Sequence, residues 1–226
     1  MNVSSSSYEP HVIKAITRLT RKGFIAYDVG ANVGVFTEIF IELVGDTGEV
    51  HAFEPTTFNI ERLNKKFASY PNVHIHSCAV SNTDLDEMPF YVDMHEEKGQ
   101  VTGVYSSLFD LPDPEKRQMK KRFVSTISLD SHCKKYRPPG ILKIDVEGAE
   151  PLVIFGGKEM ISQHRPYIIM EFWEWSWDAG FREAVSWLDS INYRMIRLDD
   201  GKSISANFYD TAKKEKTVYL LAKPGK

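Results

Sequence analysis

Two sets of residues in this sequence have the types and spacing to do chemistry. Asp28, Gly30, Asn32 and Gly34 crowd one short turn, and Glu54 follows twenty residues after Gly34. In the second set, Asp145 and Glu171 each close an apolar run, and Glu147 stands two places after Asp145. An acid at the spacing of Glu54 accepts hydrogen bonds from a ribose diol. A carboxylate just ahead of a Gly-rich turn, as Asp28 is, repels a pyrophosphate and attracts a cationic amino group. The dinucleotide fingerprint asks for glycine at 30, 32 and 35, where the sequence has Gly30, Asn32 and Val35. An amino-acid end at Asp28 and a ribose at Glu54 together describe S-adenosylmethionine better than a nicotinamide dinucleotide.

These residues need a scaffold, and the surrounding pattern supplies one. The apolar run Phe24 to Tyr27 predicts a strand, and Val35, Phe36, Ile39, Phe40 and Leu43 keep helical spacing up to a stop at Gly45. The glycines between them are expected to let the backbone approach a ligand. A second strand ends at Glu54, a helix follows Pro55 and Thr56 with Ile60, Leu63 and Phe67 on one side, and Val73 to Ser77 reads as a third strand. Ahead of them, His11 to Thr20 carries a helical stripe of Val12, Ile13, Ile16 and Leu19. The order β-α-β-α-β predicts a parallel sheet flanked by helices.

Ile141 to Ile144 predicts a buried strand with Asp145 at its carboxyl end, which aims Asp145 at the site built by Gly30 and Glu54. Lys143 shares a strand face with Asp145, and its burial demands an ion pair with a nearby carboxylate. Gly148 is expected to start the next helix. Tyr167 to Phe172 predicts a further strand bearing Glu171, and Phe181, Ala184, Val185 and Leu188 a helix. The last two strands, Tyr193 to Leu198 and Thr217 to Ala222, are joined by a polar loop with a turn at Asp199–Gly201.

From 83 to 126 the rhythm fails, and an insertion of edge strands and a loop is expected beside the ligand end of the sheet. It reads as a lid or as a solvated decoration. Its basic run, Lys116 to Arg122, lacks interleaved aromatics and reads as a solvent-facing helix, with regular structure resuming at Val124 to Leu129. The aromatic run Trp173 to Trp177 could stack on a sugar ring or pack a loop onto the core. His74, His76, His132 and His164 read as surface or satisfied core residues.

The whole chain of 226 residues fits one domain, 1–226. A formal charge of −3 gives no bulk attraction to nucleic acid or to an anionic membrane. Cys78 and Cys133 have no metal-like spacing and read as free thiols, the N-terminus lacks a signal-peptide pattern, and no apolar run is of membrane length, so a cytoplasmic location is expected.

On YDVGANVGVFT (27–37), EVHAFEP (49–55), AVSN (79–82), SLD (128–130), LKIDVEGAE (142–150) and the late strand with Glu171, in that order, the sequence resembles the FkbM family of S-adenosylmethionine-dependent methyltransferases. The resemblance implies an α/β, Rossmann-like class I fold: a seven-stranded, mostly parallel sheet with one antiparallel strand and helices on both faces. It implies O-methylation of a small-molecule hydroxyl, on a sugar or natural product. Asp28 and the Gly30–Asn32–Gly34 turn would hold the methionyl part, Glu54 the ribose and Ala79 the adenine, while Asp145 would border both cofactor and substrate.

Methyl transfer needs an oxygen held in line with a sulfonium carbon, and positioning alone is worth about 7–11 kcal/mol. Asp145 is the first candidate to orient or deprotonate the hydroxyl, with Glu147 and Glu171 behind it. A hard cation at these acids is a secondary reading and no metal is assigned. A base-modifying nucleic-acid methyltransferase would need a DPPY-like or Pro-Cys element where the chain has IDVE (144–147). The alternative is a catalytically silent cofactor-binding or interaction module, which predicts affinity without turnover.

Overall fold

In the computed structural model the described residues are 9–97, 100–101, 103, 105–109, 119–173, 180–204 and 217–225. The N-terminal stripe forms α1 (Pro10–Leu19), with Pro10 in the first turn, where a missing N–H is harmless. The organising run gives β1 (Ile25–Val29) and α2 (Val35–Val44), and Gly45, at φ 65°, stops the helix. Then come β2 (Glu49–Phe53), α3 (Thr57–Lys66) and β3 (Val73–His76). The middle of the chain holds β4 (Ala79–Val80), β5 (Leu85–Asp93), β6 (Glu96–Glu97), β7 (Gln100–Val101), β8 (Met119–Ile127) and α4 (Leu129–His132). The remainder is β9 (Ile141–Ile144), α5 (Glu150–Gly156), α6 (Lys158–His164), β10 (Tyr167–Trp173), α7 (Phe181–Ser190), β11 (Tyr193–Arg197), β12 (Ser203–Ile204) and β13 (Thr217–Pro224).

Among the described residues eight strands form the main sheet, in the order β12-β11-β13-β10-β9-β1-β2-β3. β3, β2, β1, β9 and β10 are parallel, and β13 enters antiparallel between β10 and β11. This is the expected seven-stranded arrangement, with β12 as an unforeseen eighth strand at the edge. The turn at Asp199–Gly201 explains it: Gly201 takes φ 74°, Arg197 N–H bonds Lys202 O, and the chain folds back on β11 before it reaches β13.

Alternation along the strands divides the core. Ala26, Val50, Ala52, Ile141 and Ile169 face α1, α2 and α3 through Val12, Ile16, Phe40 and Leu63. Tyr27, Val29, Phe53, Leu142 and Met170 face the other helices through Leu129, Val153, Ile161, Phe181 and Leu188. Among the described residues no helix is long and apolar enough to cross a membrane.

The insertion departs from its expected form in two respects. Met119 to Arg122 belong to strand β8, not to a helix, because β8 pairs antiparallel with β5 along Met119–Val124 and this pairing overrides the helical preference of the lysines. Lys116 to Gln118 lie outside the described residues. Val124 to Ile127 also stay in this second sheet, β4-β8-β5, so the main sheet resumes only at Ile141. Ser128 and Asp130 then act as caps: Ser128 Oγ accepts from Ser131 N–H, and Asp130 accepts from the N–H groups of Glu159 and Met160 at the start of α6.

Candidate functional site

The turn after β1 is held by main chain on one side and by Glu54 on the other. Gly30 and Ala31 N–H bond Phe53 O, and Asn32, at φ 48°, points its N–H at Glu54 Oε2, 3.0 Å away. Thr56 donates to Glu54 Oε1 through both its N–H, at 2.9 Å, and its hydroxyl. Burial raises the Glu54 carboxyl above its ordinary value, and these donors oppose the rise. Glu54 is thus a fixed acceptor at the end of β2.

Packing also demands glycine at two positions of the turn. A Cβ on Gly30, whose φ is +81°, would stand 1.8 Å from the Asp145 carbonyl oxygen, and one on Gly34 would meet Phe67 and Leu63 of the α3 region at 2.6 and 2.7 Å. Close approach of strand end to turn, and of turn to helix, explains both positions without a ligand. The consequence for the site is direct: Gly30 lets the Asp145 segment lie against the turn.

Asp28 does not face open space. It is fully buried, Thr37 Oγ1 donates to its Oδ2 at 2.6 Å, and Lys143 Nζ lies 3.6 Å from its Oδ1. Lys143 also reaches Asp145 Oδ2 at 3.1 Å and sits over the Phe36 ring at 4.6 Å. The ion pair expected of Lys143 is therefore present, with two carboxylates. Burial pushes the ammonium down, but Asp145 and Asp28 outweigh it and hold Lys143 above its ordinary value. The cation that Asp28 meets in this fold is Lys143.

Asp145, Glu147 and Glu171 come together, each offering a carboxylate oxygen within 4.8 Å of the others, a spacing that would also suit a hard cation. Two further residues join them that sequence reasoning passed over. Tyr219, in β13, sits opposite Glu171 in the β10 register, and its hydroxyl donates to Asp145 Oδ2 at 3.5 Å. Burial, followed by Asp145, Glu171 and Glu9, keeps Tyr219 protonated far above neutral pH. Ser107, from the insertion, donates to Glu147 O at 2.8 Å, and its backbone bridges Tyr91 of β5. The insertion thus abuts the acids.

The segment between β9 and α5 is shaped by Glu150. Its Oε1 accepts from Val146 and Gly148 N–H, while Glu147 and Gly148 take φ 53° and 92°. The helix consequently starts at Glu150, two residues later than Gly148. Ala79 is buried in β4 with Phe90, Val92, Leu108 and Ala149 nearby. Residues 174–179, most of the tryptophan run, lie outside the described residues.

The model of the methyltransferase FkbM domain matches residues 28–195. Among solved structures, methyltransferase FkbM from Methylobacillus flagellatus KT aligns with a TM-score of 0.55 and 13% identity over 93% of this chain and 50% of its own, so the chain spans half the length of that protein. A putative rRNA methylase from Clostridium thermocellum aligns at 0.56 and 12% over 100% and 99% of the two chains. An rRNA methylase from Streptococcus thermophilus gives 0.54 and 8% over the full length of both. At such identities the likeness is one of fold. No curated protein matches the sequence.

Proposed function

The chain belongs to the methyltransferase FkbM family, and on that premise we propose that it transfers a methyl group from S-adenosylmethionine to a hydroxyl of a small molecule, a sugar or natural product. The observation that carries this reading is the convergence of Asp145, Glu147 and Glu171 beside the turn that packs on Asp145. The donor set fits the cofactor: Glu54 is a fixed acceptor at a strand end, suited to a diol. S-adenosylmethionine supplies an activated methyl carbon when bound. The residues of this chain do the rest.

In this reading Glu54 accepts the ribose hydroxyls, the Gly30–Asn32–Gly34 main chain faces the methionyl part, and Ala79 lies by the adenine. Asp28 acts through Lys143, which stands between it and Asp145. Lys143 and Tyr219 fix the direction of the Asp145 carboxylate, which accepts the proton of the acceptor hydroxyl, and Glu147 and Glu171 line the approach. A positioned base of this kind contributes about 10²–10⁴-fold.

The test is methyl transfer from labelled S-adenosylmethionine to a panel of sugar and natural-product hydroxyls, with Asp145→Asn in parallel. Expected is turnover on at least one acceptor, reduced about 10²–10⁴-fold in Asp145→Asn while cofactor affinity holds. Cofactor binding with no turnover on any hydroxyl would favour a binding module, and wild-type rates in Asp145→Asn would remove Asp145 from the chemistry.

A further inference from the structure

Across the sheet from the acids, three histidines far apart in sequence meet on the face covered by α4. His51 lies in β2, His76 ends β3, the edge strand of the sheet, and His132 ends α4. His51 Nδ1 is 3.0 Å from His76 Nε2, and His132 Nε2 is 3.3 Å from that same atom. The three rings offer ligand atoms all within 4.8 Å of one another. The His51 and His76 planes differ by 5° with centroids 5.2 Å apart, so ring edges, with their nitrogens, are turned towards each other.

The outer partners decide where the hydrogens sit. Tyr27 OH gives its hydrogen to Arg137 O at 2.8 Å, so the 3.0 Å contact with His132 Nδ1 is a donation from the imidazole, and His132 Nε2 carries a lone pair. His51 Nε2 faces the Glu49 carboxylate at 3.5 Å, which accepts only, so His51 Nδ1 also carries a lone pair. Glu49 is itself held by Arg137 at 2.8 Å. Two lone pairs therefore converge on His76 Nε2, which bears at most one hydrogen and can satisfy only one of them.

A metal ion is the remedy that geometry suits. Two nitrogens bound to one tetrahedral zinc at about 2.0–2.1 Å stand roughly 3.3 Å apart. The observed 3.3 Å matches that value, and the 3.0 Å is slightly shorter. The outer hydrogen bonds of His132 and His51, to a phenol tied to a carbonyl and to a carboxylate, are those that orient metal-bound imidazoles. We infer that His51 Nδ1, His76 Nε2 and His132 Nε2 form a binding site for a divalent zinc-type cation that ties the edge strand β3 to β2 and α4. The ion takes the place of the hydrogen on His76 Nε2, and the single proton of that ring moves to Nδ1. Half-buried His76 and exposed Tyr136, stacked on His132 at 4.5 Å, form the way in.

The experiment uses tag-free full-length protein stripped with a chelator and titrated with Zn²⁺ by calorimetry, with metal analysis after dialysis. Expected is one zinc per chain, a higher melting temperature with zinc bound, and strong visible absorption of the tetrahedral Co²⁺ form. His76→Gln, at the partly exposed edge, abolishes stoichiometric binding and the thermal shift. Tyr27→Phe, which keeps all three ligands, weakens affinity about 10–100-fold. No binding by the wild type would overturn the inference. Equal binding by His76→Gln would do so too, by locating the ion elsewhere, for example on Asp145, Glu147 and Glu171.

Discussion

Lys143 Nζ lies 3.1 Å from Asp145 Oδ2, and the same ammonium stands 3.6 Å from Asp28 Oδ1. One buried cation thus serves an acid under the turn and an acid at the site. Removing one partner of a buried pair leaves an uncompensated charge and costs about 3–5 kcal/mol. Lys143→Met is expected to lose that much in urea unfolding and to lower methyl transfer more than Lys143→Arg. A stability equal to wild type would mean that Asp28 does not depend on the lysine.

Gly30 and Gly45 both take positive φ, but only Gly30 is crowded: its missing Cβ would stand 1.8 Å from Asp145 O, whereas nothing lies within 4 Å of that of Gly45. Backbone at positive φ costs a non-glycine residue about 1–3 kcal/mol, and overpacking adds about 1–3 kcal/mol. Thermal unfolding is expected to show Gly45→Ala losing about 1–3 kcal/mol and Gly30→Ala clearly more, with cofactor affinity falling only in the latter. Equal losses would remove the argument that the turn and the Asp145 segment are fitted together.

Glu150 is fully buried, and burial pushes its carboxyl up to about 7, with Asp145 adding to the rise. Its folded value thus exceeds the unfolded one, near 4.5, so between these pH values the folded state binds more protons than the unfolded state. Stability must then fall as pH rises from about 4.5 to about 7, by about 3 kcal/mol in all. Glu150→Gln, neutral at every pH, is expected to flatten that slope in urea unfolding curves. An unchanged slope would assign it to other groups.

Tyr219 hydrogen-bonds Asp145 from β13, two strands from β9 in the same sheet. A hydrogen bond to a charged group is worth about 1.5–3 kcal/mol, so Tyr219→Phe is expected to lower kcat roughly 10-fold or more. KM for the cofactor should stay near wild type, because Tyr219 acts through Asp145. A change confined to KM would make Tyr219 a binding residue instead.

What was legible in the sequence was local. Asp28, the turn and Glu54 lie on consecutive elements, so strand and helix periods placed them, and the two-residue period of β9 put Lys143 beside Asp145. What was hidden depended on distant partners. Tyr219 meets Asp145 across 74 positions because β13 threads antiparallel into the sheet, and Ser107 meets the Glu147 carbonyl across 40 because the insertion folds back. The packing demands on Gly30 and Gly34 were hidden for the same reason, since the atoms they accommodate belong to other elements. Lys120 to Arg122 looked helical by composition, but the partner strand β5 decided otherwise. His51, His76 and His132 gave no spacing signal, because three separate elements bring them together.

The most direct measurement is calorimetric titration of the folded chain with S-adenosylmethionine, repeated on Glu54→Gln with its fold checked by circular dichroism. Expected is micromolar binding by the wild type, weakened about 10-fold or more in Glu54→Gln by the loss of charged hydrogen bonds to the ribose. Absence of binding by the folded wild type, or an affinity indifferent to Glu54, would contradict it.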